Sequence, residues 1–143
     1  MRTLVARTAD EMRQIGATIG RVLHAGDVVI LDGPLGAGKT TLTQGIAQGL
    51  DVRGPITSPT FVISRVHPSL HDGPSLIHVD AYRINSLAEI DDLDLDTDLE
   101  RAVLVAEWGS GKLDAIAHTH ITITIERADD DLRTLTIDGV ELP

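Results

Sequence analysis

An octapeptide at residues 33–40, Gly33-Pro34-Leu35-Gly36-Ala37-Gly38-Lys39-Thr40, constrains the fold more than any other feature of this sequence. It matches the pattern G-x-x-x-x-G-K-[ST] at every fixed position. The apolar run at residues 27–32 comes just before it and is typical of a strand buried on both faces of a parallel sheet. Residues 39–50 after it are predicted to form a helix. The order of strand, glycine-rich loop and helix therefore indicates an α/β fold.

The residue types in this loop suit the binding of a chain of phosphates. Glycines allow backbone angles that side chains forbid, so successive N–H groups can converge on one anion. The positive end of the following helix strengthens the attraction. Lys39 would neutralise β- and γ-phosphate oxygens, and the Thr40 hydroxyl would ligate Mg²⁺. The residues predicted to bind the nucleotide are Gly33, Gly36, Ala37, Gly38, Lys39, Thr40 and Thr41.

The rest of the chain predicts one three-layer α/β domain over residues 1–143, with a mostly parallel sheet and an antiparallel C-terminal hairpin. Thr8 and Glu11 match a capping box that opens a helix, and Gly26 is the expected end of that helix. Apolar and polar residues alternate at 121–125 and again at 132–137, which predicts the hairpin. Further strands are predicted at residues 61–66, 76–82 and 102–107.

The composition narrows the class of protein. The chain has no cysteine, which excludes disulfides, thiolate zinc sites and cysteine nucleophiles. It has 12 Lys and Arg against 22 Asp and Glu, a net charge of −10, so its surface as a whole repels a nucleic-acid backbone. No apolar run is long enough to span a bilayer, and no signal-peptide core is visible, which favours the cytoplasm.

Two carboxylates are candidates to complete the phosphate site. Asp80 ends one predicted apolar strand, and Glu107 ends another. Acids at the carboxyl ends of strands lie beside a phosphate-binding loop in α/β sheets, where one of them can hold Mg²⁺. Which of the two lies nearer the metal depends on the strand order, and the sequence leaves that open.

Four segments, in this order and spacing, resemble the TsaE (YjeE) family of small bacterial ATPases required to form threonylcarbamoyladenosine in tRNA, at the adenosine that follows the anticodon. They are residues 33–41, Ser58-Pro59-Thr60-Phe61, His78-Val79-Asp80-Ala81-Tyr82-Arg83 and Glu107-Trp108. The chain departs from the usual family pattern at Pro34 and at Gly109-Ser110, where acidic residues are common.

The resemblance implies a P-loop NTPase fold, ATP and Mg²⁺ as cofactors, and hydrolysis that is slow until partners stimulate it. The implied partners are TsaB and TsaD, which would contact the tRNA, so that this chain meets tRNA only indirectly; no membrane is implied. Lys39, Asp80 and Glu107 would be catalytic, and Thr40 with Glu107 would hold the metal. Residues 58–61 would be a mobile element near the γ-phosphate.

Two other functions share the same loop. A small-molecule kinase can carry a nearly identical one, but kinases of this kind usually cover the transferred phosphate with a lid rich in arginine. The segment available for a lid, residues 84–101, contains Arg101 and many acids. A nucleotide-dependent binding switch with little turnover would use the same residues as a slow ATPase, so the two differ only in measured hydrolysis.

Overall fold

A seven-stranded sheet runs through the part of the chain that the computed structural model describes, which is residues 2–33, 38–52, 64–71, 73–80, 101–107, 121–127, 132–140 and 142. Within those ranges, neither helix has the length and apolar character needed to cross a membrane. The elements are β1 (Arg2–Ala6), α1 (Ala9–Val22), β2 (Val28–Asp32), α2 (Lys39–Leu50), β3 (Ser64–His67), β4 (Ser75–Asp80), β5 (Ala102–Glu107), β6 (Ile121–Arg127) and β7 (Arg133–Asp138).

The strand order across the sheet is β1-β7-β6-β2-β5-β4-β3. The central strand β2 pairs in parallel with both β5 and β6, and β4 pairs in parallel with β5. The outer pairs β1–β7, β6–β7 and β3–β4 are antiparallel. The predicted α/β class, the parallel centre and the C-terminal hairpin are therefore confirmed. Strand β3 overlaps the strand predicted at residues 61–66, whereas the antiparallel pairing of β1 and β3 at the two sides of the sheet was not predicted.

Alternate residues of the strands share one apolar core with the two helices. Val29 and Leu31 of β2 belong to this core together with Leu42 and Ile46 of α2. The residues of opposite parity in β2, such as Ile30, are also buried, so the second face of the sheet is covered as well. Both described helices lie on the first face. The third layer that the sequence predicts falls outside the described residues.

Helix α1 begins as its capping box predicts. The Thr8 hydroxyl oxygen accepts a hydrogen bond from the Glu11 N–H at 3.1 Å, and the Glu11 carboxylate accepts one from the Arg7 N–H at 2.6 Å. The expected end at Gly26 is wrong, because the helix ends four residues earlier, at Val22. Gly26 instead adopts a φ of 95° in the turn that leads into β2, which glycine does without strain.

Two pairs of glycines bring the backbones of α1 and α2 into contact. Gly16 and Gly20 of α1 face Gly45 and Gly49 of α2, and a Cβ added at any of them would lie 2.2–2.4 Å from a carbonyl oxygen of the other helix. At Gly45, that oxygen belongs to Arg13. Only glycine permits this approach, which holds α2, the helix that follows the glycine-rich loop, in a fixed position over the sheet.

Candidate functional site

The glycine-rich loop joins the carboxyl end of β2 to the first turn of α2. Gly33 is buried at the end of β2, and Gly38 is the N-cap of α2, with φ 103° and ψ 21°. These angles are left-handed and favour glycine. A glycine N-cap offers no side-chain acceptor to the first N–H groups of the helix, which suits a site where an external anion accepts those hydrogen bonds.

Lys39 closes the loop from the helix side. Its side chain is 7% exposed, and Nζ donates a hydrogen bond to the carbonyl oxygen of Gly33 at 2.8 Å. The Lys39 carbonyl in turn accepts a hydrogen bond from the Thr43 hydroxyl at 2.8 Å. A buried ammonium group is costly unless polar groups surround it, and here it lies between the two ends of the loop. The loop therefore carries a positive charge where an anion would bind.

Thr40 and Glu107 meet beside the loop. The Thr40 hydroxyl donates a hydrogen bond to Glu107 Oε1 at 3.2 Å, and Glu107 is 6% exposed at the end of β5. The parallel register pairs Leu31 of β2 with Glu107, so the acid comes directly alongside the loop strand. Hydroxyl and carboxylate oxygens are ligands that Mg²⁺ prefers, and one or two of them with phosphates and water complete a usual magnesium site. The donor set fits this metal.

Clusters of metal-binding side chains are absent from the described part of the chain. Among the residues that the structure describes, no group of three or more His, Cys, Asp or Glu side chains could hold a metal ion.

The strand order separates the two acids that the sequence left equivalent. Glu107 ends β5, the immediate neighbour of β2, whereas Asp80 ends β4, one strand farther from the loop. The two are register partners in the β4–β5 ladder, so Asp80 lies next to Glu107 at the carboxyl ends of these parallel strands. Sequence reasoning could not obtain this order because it depends on pairing between distant segments.

The structure places His78 beside this site; from sequence it was named only as the first residue of the family-like segment 78–83, without a role. Its side chain is fully buried on β4, and its Nε2 lies 3.7 Å from Glu107 Oε2. Within the described part of the chain, neither ring nitrogen has a hydrogen-bond partner. The signal was present in the sequence as a lone polar residue inside the apolar strand that ends at Asp80.

The predicted site residues fall into two groups, those that the structure describes and those that lie outside the described residues. Among the described ones, Thr41 is in the first turn of α2 and is partly buried. The structure brings together Gly33, Gly38, Lys39, Thr40 and Glu107. Those outside the described part are Gly36, Ala37, residues 58–61 and Trp108.

Comparisons with known proteins agree along nearly the whole chain. The family model described as "Threonylcarbamoyl adenosine biosynthesis protein TsaE" matches residues 6–135. The tRNA threonylcarbamoyladenosine biosynthesis protein TsaE of Streptomyces coelicolor is 52% identical over 134 residues, which cover 90% of each chain. The protein of the same name from Bacillus subtilis is 36% identical over 144 residues, covering 98% of this chain and 88% of that one.

A solved structure extends the agreement from sequence to fold. The crystal structure of Bacillus subtilis YdiB superposes with a TM-score of 0.73 at 31% identity, covering 98% of this chain and 86% of that chain. The fold and the resemblance stated from sequence thus agree with the family model, the relatives and the solved structure. The chain belongs to the TsaE family, whose members take part in tRNA threonylcarbamoyladenosine biosynthesis.

Proposed function

We propose that this chain is a magnesium-dependent ATPase that supports threonylcarbamoyladenosine formation in tRNA. The observation that carries the proposal is the contact of Thr40 with Glu107, 3.2 Å apart, beside a loop whose ends are joined by Lys39 and Gly33. A cation, a helix N-terminus capped by glycine, and two hard oxygen ligands are the groups that binding of a nucleoside triphosphate with Mg²⁺ requires.

Each residue has a distinct task in this proposal. Lys39 and the N–H groups at the start of α2 bind and orient the triphosphate, while Thr40 and Glu107 hold Mg²⁺. When bound, Mg²⁺ neutralises charge on the phosphate oxygens. In the reaction, the oxygen of a water molecule forms a bond to the γ-phosphorus. The bond between the γ-phosphorus and the bridging oxygen breaks, and that oxygen leaves with ADP. Asp80, next to Glu107 in the ladder, is the second acid that we assign to hydrolysis.

The fold itself holds Thr40 and Glu107 in contact, which favours catalysis as well as binding. Glu107 is held on a fully buried strand, and α2 is fixed by its glycine contacts with α1. Groups that are already in place need little reorganisation as charge moves in the transition state. Glu107 and Thr40 come from elements 67 residues apart in sequence, so their contact depends on the folded sheet.

The overall charge supports a role that relies on partners. With a net charge of −10, the chain has no general attraction for a phosphate backbone, although its loop can bind one local anion. We propose that TsaB and TsaD bind this chain, contact the tRNA and stimulate hydrolysis that is slow without them. Because tRNA is the target of the pathway, we expect the protein to act in the cytoplasm.

The position of Arg101 disfavours a small-molecule kinase. The segment 84–101 was the available lid, and Arg101 is its arginine. This residue lies just before the first residue of β5, whereas the loop faces the last residue of that strand, Glu107. Arg101 thus lies at the opposite end of β5 from the loop and cannot cover a transferred phosphate.

The test compares ATP hydrolysis by the chain alone with hydrolysis in the presence of TsaB and TsaD. We expect slow turnover alone, clear stimulation in the complex, and loss of both nucleotide binding and turnover in Lys39→Met, which keeps the buried aliphatic stem. Arg21→Ala, which removes an exposed cation from the last turn of α1, is the matched control and should behave as the wild type.

Two results would contradict this proposal. Nucleotide binding without stimulated turnover in the complex would point to a binding switch. Rapid phosphorylation of a metabolite, without stimulation by TsaB and TsaD, would point to a kinase.

A further inference from the structure

A buried imidazole lies against the acid of the phosphate site without touching the loop. His78 is in the middle of β4, with none of its side chain exposed. Its Nε2 lies 3.7 Å from Glu107 Oε2, which is longer than a hydrogen bond. The catalytic scheme proposed above gives this residue no task.

The surroundings of His78 would suit an apolar residue. In the β4–β5 register it is paired with Val105, and Leu76 precedes it on the same face of β4; both belong to the apolar core. Neither ring nitrogen has a hydrogen-bond partner within the described residues. Burying such a group costs free energy that an aliphatic side chain would not. A histidine here is therefore a burden for folding, which points to another role.

The contact with the Glu107 carboxylate indicates what the role of His78 is. The two carboxylate oxygens face different neighbours: Oε1 accepts the Thr40 hydroxyl at 3.2 Å, and Oε2 faces the imidazole at 3.7 Å. Rotation about the last bond of the glutamate side chain moves both oxygens together, so a neighbour that attracts Oε2 also holds Oε1 in place. A neutral imidazole carries one N–H donor, and the tautomer with the proton on Nε2 directs it toward Oε2.

The geometry points to His78 as a positioning residue of this site, one that acts through Glu107. The imidazole keeps the carboxylate turned so that Oε1 stays beside the Thr40 hydroxyl and both oxygens remain together for Mg²⁺. This inference rests on the proposed function, because it assigns a partner to the acid that would hold the metal. Groups in contact with metal-binding carboxylates commonly set their orientation and the metal affinity in this way.

Two substitutions separate orientation from packing. His78→Leu fills the space without a polar group, whereas His78→Gln carries an amide N–H that can reach the place of Nε2. The measurement is the dissociation constant of a fluorescent ATP analogue with saturating Mg²⁺ and again in EDTA, together with the urea midpoint of unfolding. The ratio of the two constants reports the contribution of the metal and does not require turnover.

We expect the Mg²⁺-dependent gain in affinity to fall about 10-fold or more in His78→Leu, while the affinity in EDTA stays within about 2-fold of wild type. The unfolding midpoint of His78→Leu should equal or exceed that of wild type, because the change removes a buried polar group that has no hydrogen-bond partner among the described residues. His78→Gln should keep the gain within about 3-fold. In a Glu107→Gln background, adding His78→Leu should cause no further loss, because the two residues act as one unit.

An unchanged gain in His78→Leu would overturn the inference, and so would equal losses in the Leu and Gln variants, which would indicate packing alone. If His78→Leu does not fold, the comparison is made between His78→Gln and His78→Asn, whose shorter amide reaches only the place of Nδ1. Equal behaviour of that pair would also overturn it. If the wild type itself shows no gain with Mg²⁺, the proposed function fails, which is a separate and distinguishable result.

Discussion

The hydroxyl of Thr40 donates a hydrogen bond to Oε1 of Glu107 at 3.2 Å, linking the helix that follows the glycine-rich loop to the end of the neighbouring parallel strand. This contact joins two residues that the sequence singled out separately. It also decides between two acids, since Asp80 ends a strand that is one position farther from β2. The proposed metal site is built on this pair.

Neutralising Glu107 should remove turnover without harming the fold. Glu107→Gln keeps the size of the side chain and an oxygen that can accept the Thr40 hydroxyl, but it loses the charge that would hold Mg²⁺. We expect ATP turnover in the presence of partners to fall about 100-fold or more, because a metal ion is worth several kcal/mol in the transition state. The measurement is steady-state phosphate release at saturating ATP.

The matched control for that change is Asp138→Asn, which neutralises an exposed acid at the end of β7. Asp138 pairs with Thr122 near the beginning of β6, whereas the loop follows the carboxyl end of the parallel strand β2. The Asp138→Asn change should leave turnover unchanged. Equal losses in the two variants would show that net charge, and not the position of Glu107, controls the rate.

The hydroxyl of Thr40 should matter more than its shape. Thr40→Val removes the hydroxyl and keeps the branched form, whereas Thr40→Ser keeps the hydroxyl and loses only a methyl group. We expect the Mg²⁺-dependent gain in ATP affinity to be lost in the Val variant and retained in the Ser variant, as measured by titration with and without EDTA. A Val variant with a full gain would exclude the hydroxyl as a metal ligand.

The close contact of the two helices should make Gly45 essential for stability. A Cβ at Gly45 would lie 2.2 Å from the carbonyl oxygen of Arg13, so Gly45→Ala forces the backbones apart. We expect the free energy of unfolding to fall by about 2 kcal/mol or more, within the range of overpacked cores. Gly73→Ala is the control, since its added Cβ would be 3.6 Å from the Ser69 hydroxyl, an ordinary contact. Chemical denaturation measures both, and similar values would contradict the packing argument.

The capping box at the start of α1 should have a measurable effect of its own. Thr8→Ala removes the oxygen that accepts the Glu11 N–H at 3.1 Å and should destabilise the protein by about 1 kcal/mol. Thr18→Ala is the matched control within the same helix, because the Thr18 hydroxyl donates to the Gln14 carbonyl one turn earlier and does not cap the helix. That change should be neutral or slightly stabilising, since alanine favours a helix interior.

Local sequence signals predicted the helix and strands that form the site. They could not predict the order of the strands, which depends on pairing between distant segments. The helix Lys39–Leu50 and the buried strand Ala102–Glu107 were predicted with the bounds observed, because motif and apolar pattern are local properties. The start of α1 followed from Thr8 and Glu11 in the same way.

Two features of the site could not be obtained from local patterns. Strand order decides which acid meets Thr40, and it depends on contacts between residues far apart in the chain. The contact of His78 with Glu107 forms only when β4 lies against β5, which brings Nε2 toward the carboxylate. The end of α1 was misplaced at Gly26 because the backbone already leaves the helix at Leu23, which is extended with φ −80° and ψ 149°.

The most direct measurement is a crystal structure of the chain with Mg²⁺ and a non-hydrolysable ATP analogue. We predict that the triphosphate lies against residues 33–40, with Lys39 Nζ moved from the Gly33 carbonyl to phosphate oxygens and Mg²⁺ bound at Thr40 beside Glu107. A nucleotide bound elsewhere, with Lys39 still bonded to Gly33 and the metal distant from Thr40, would contradict the account.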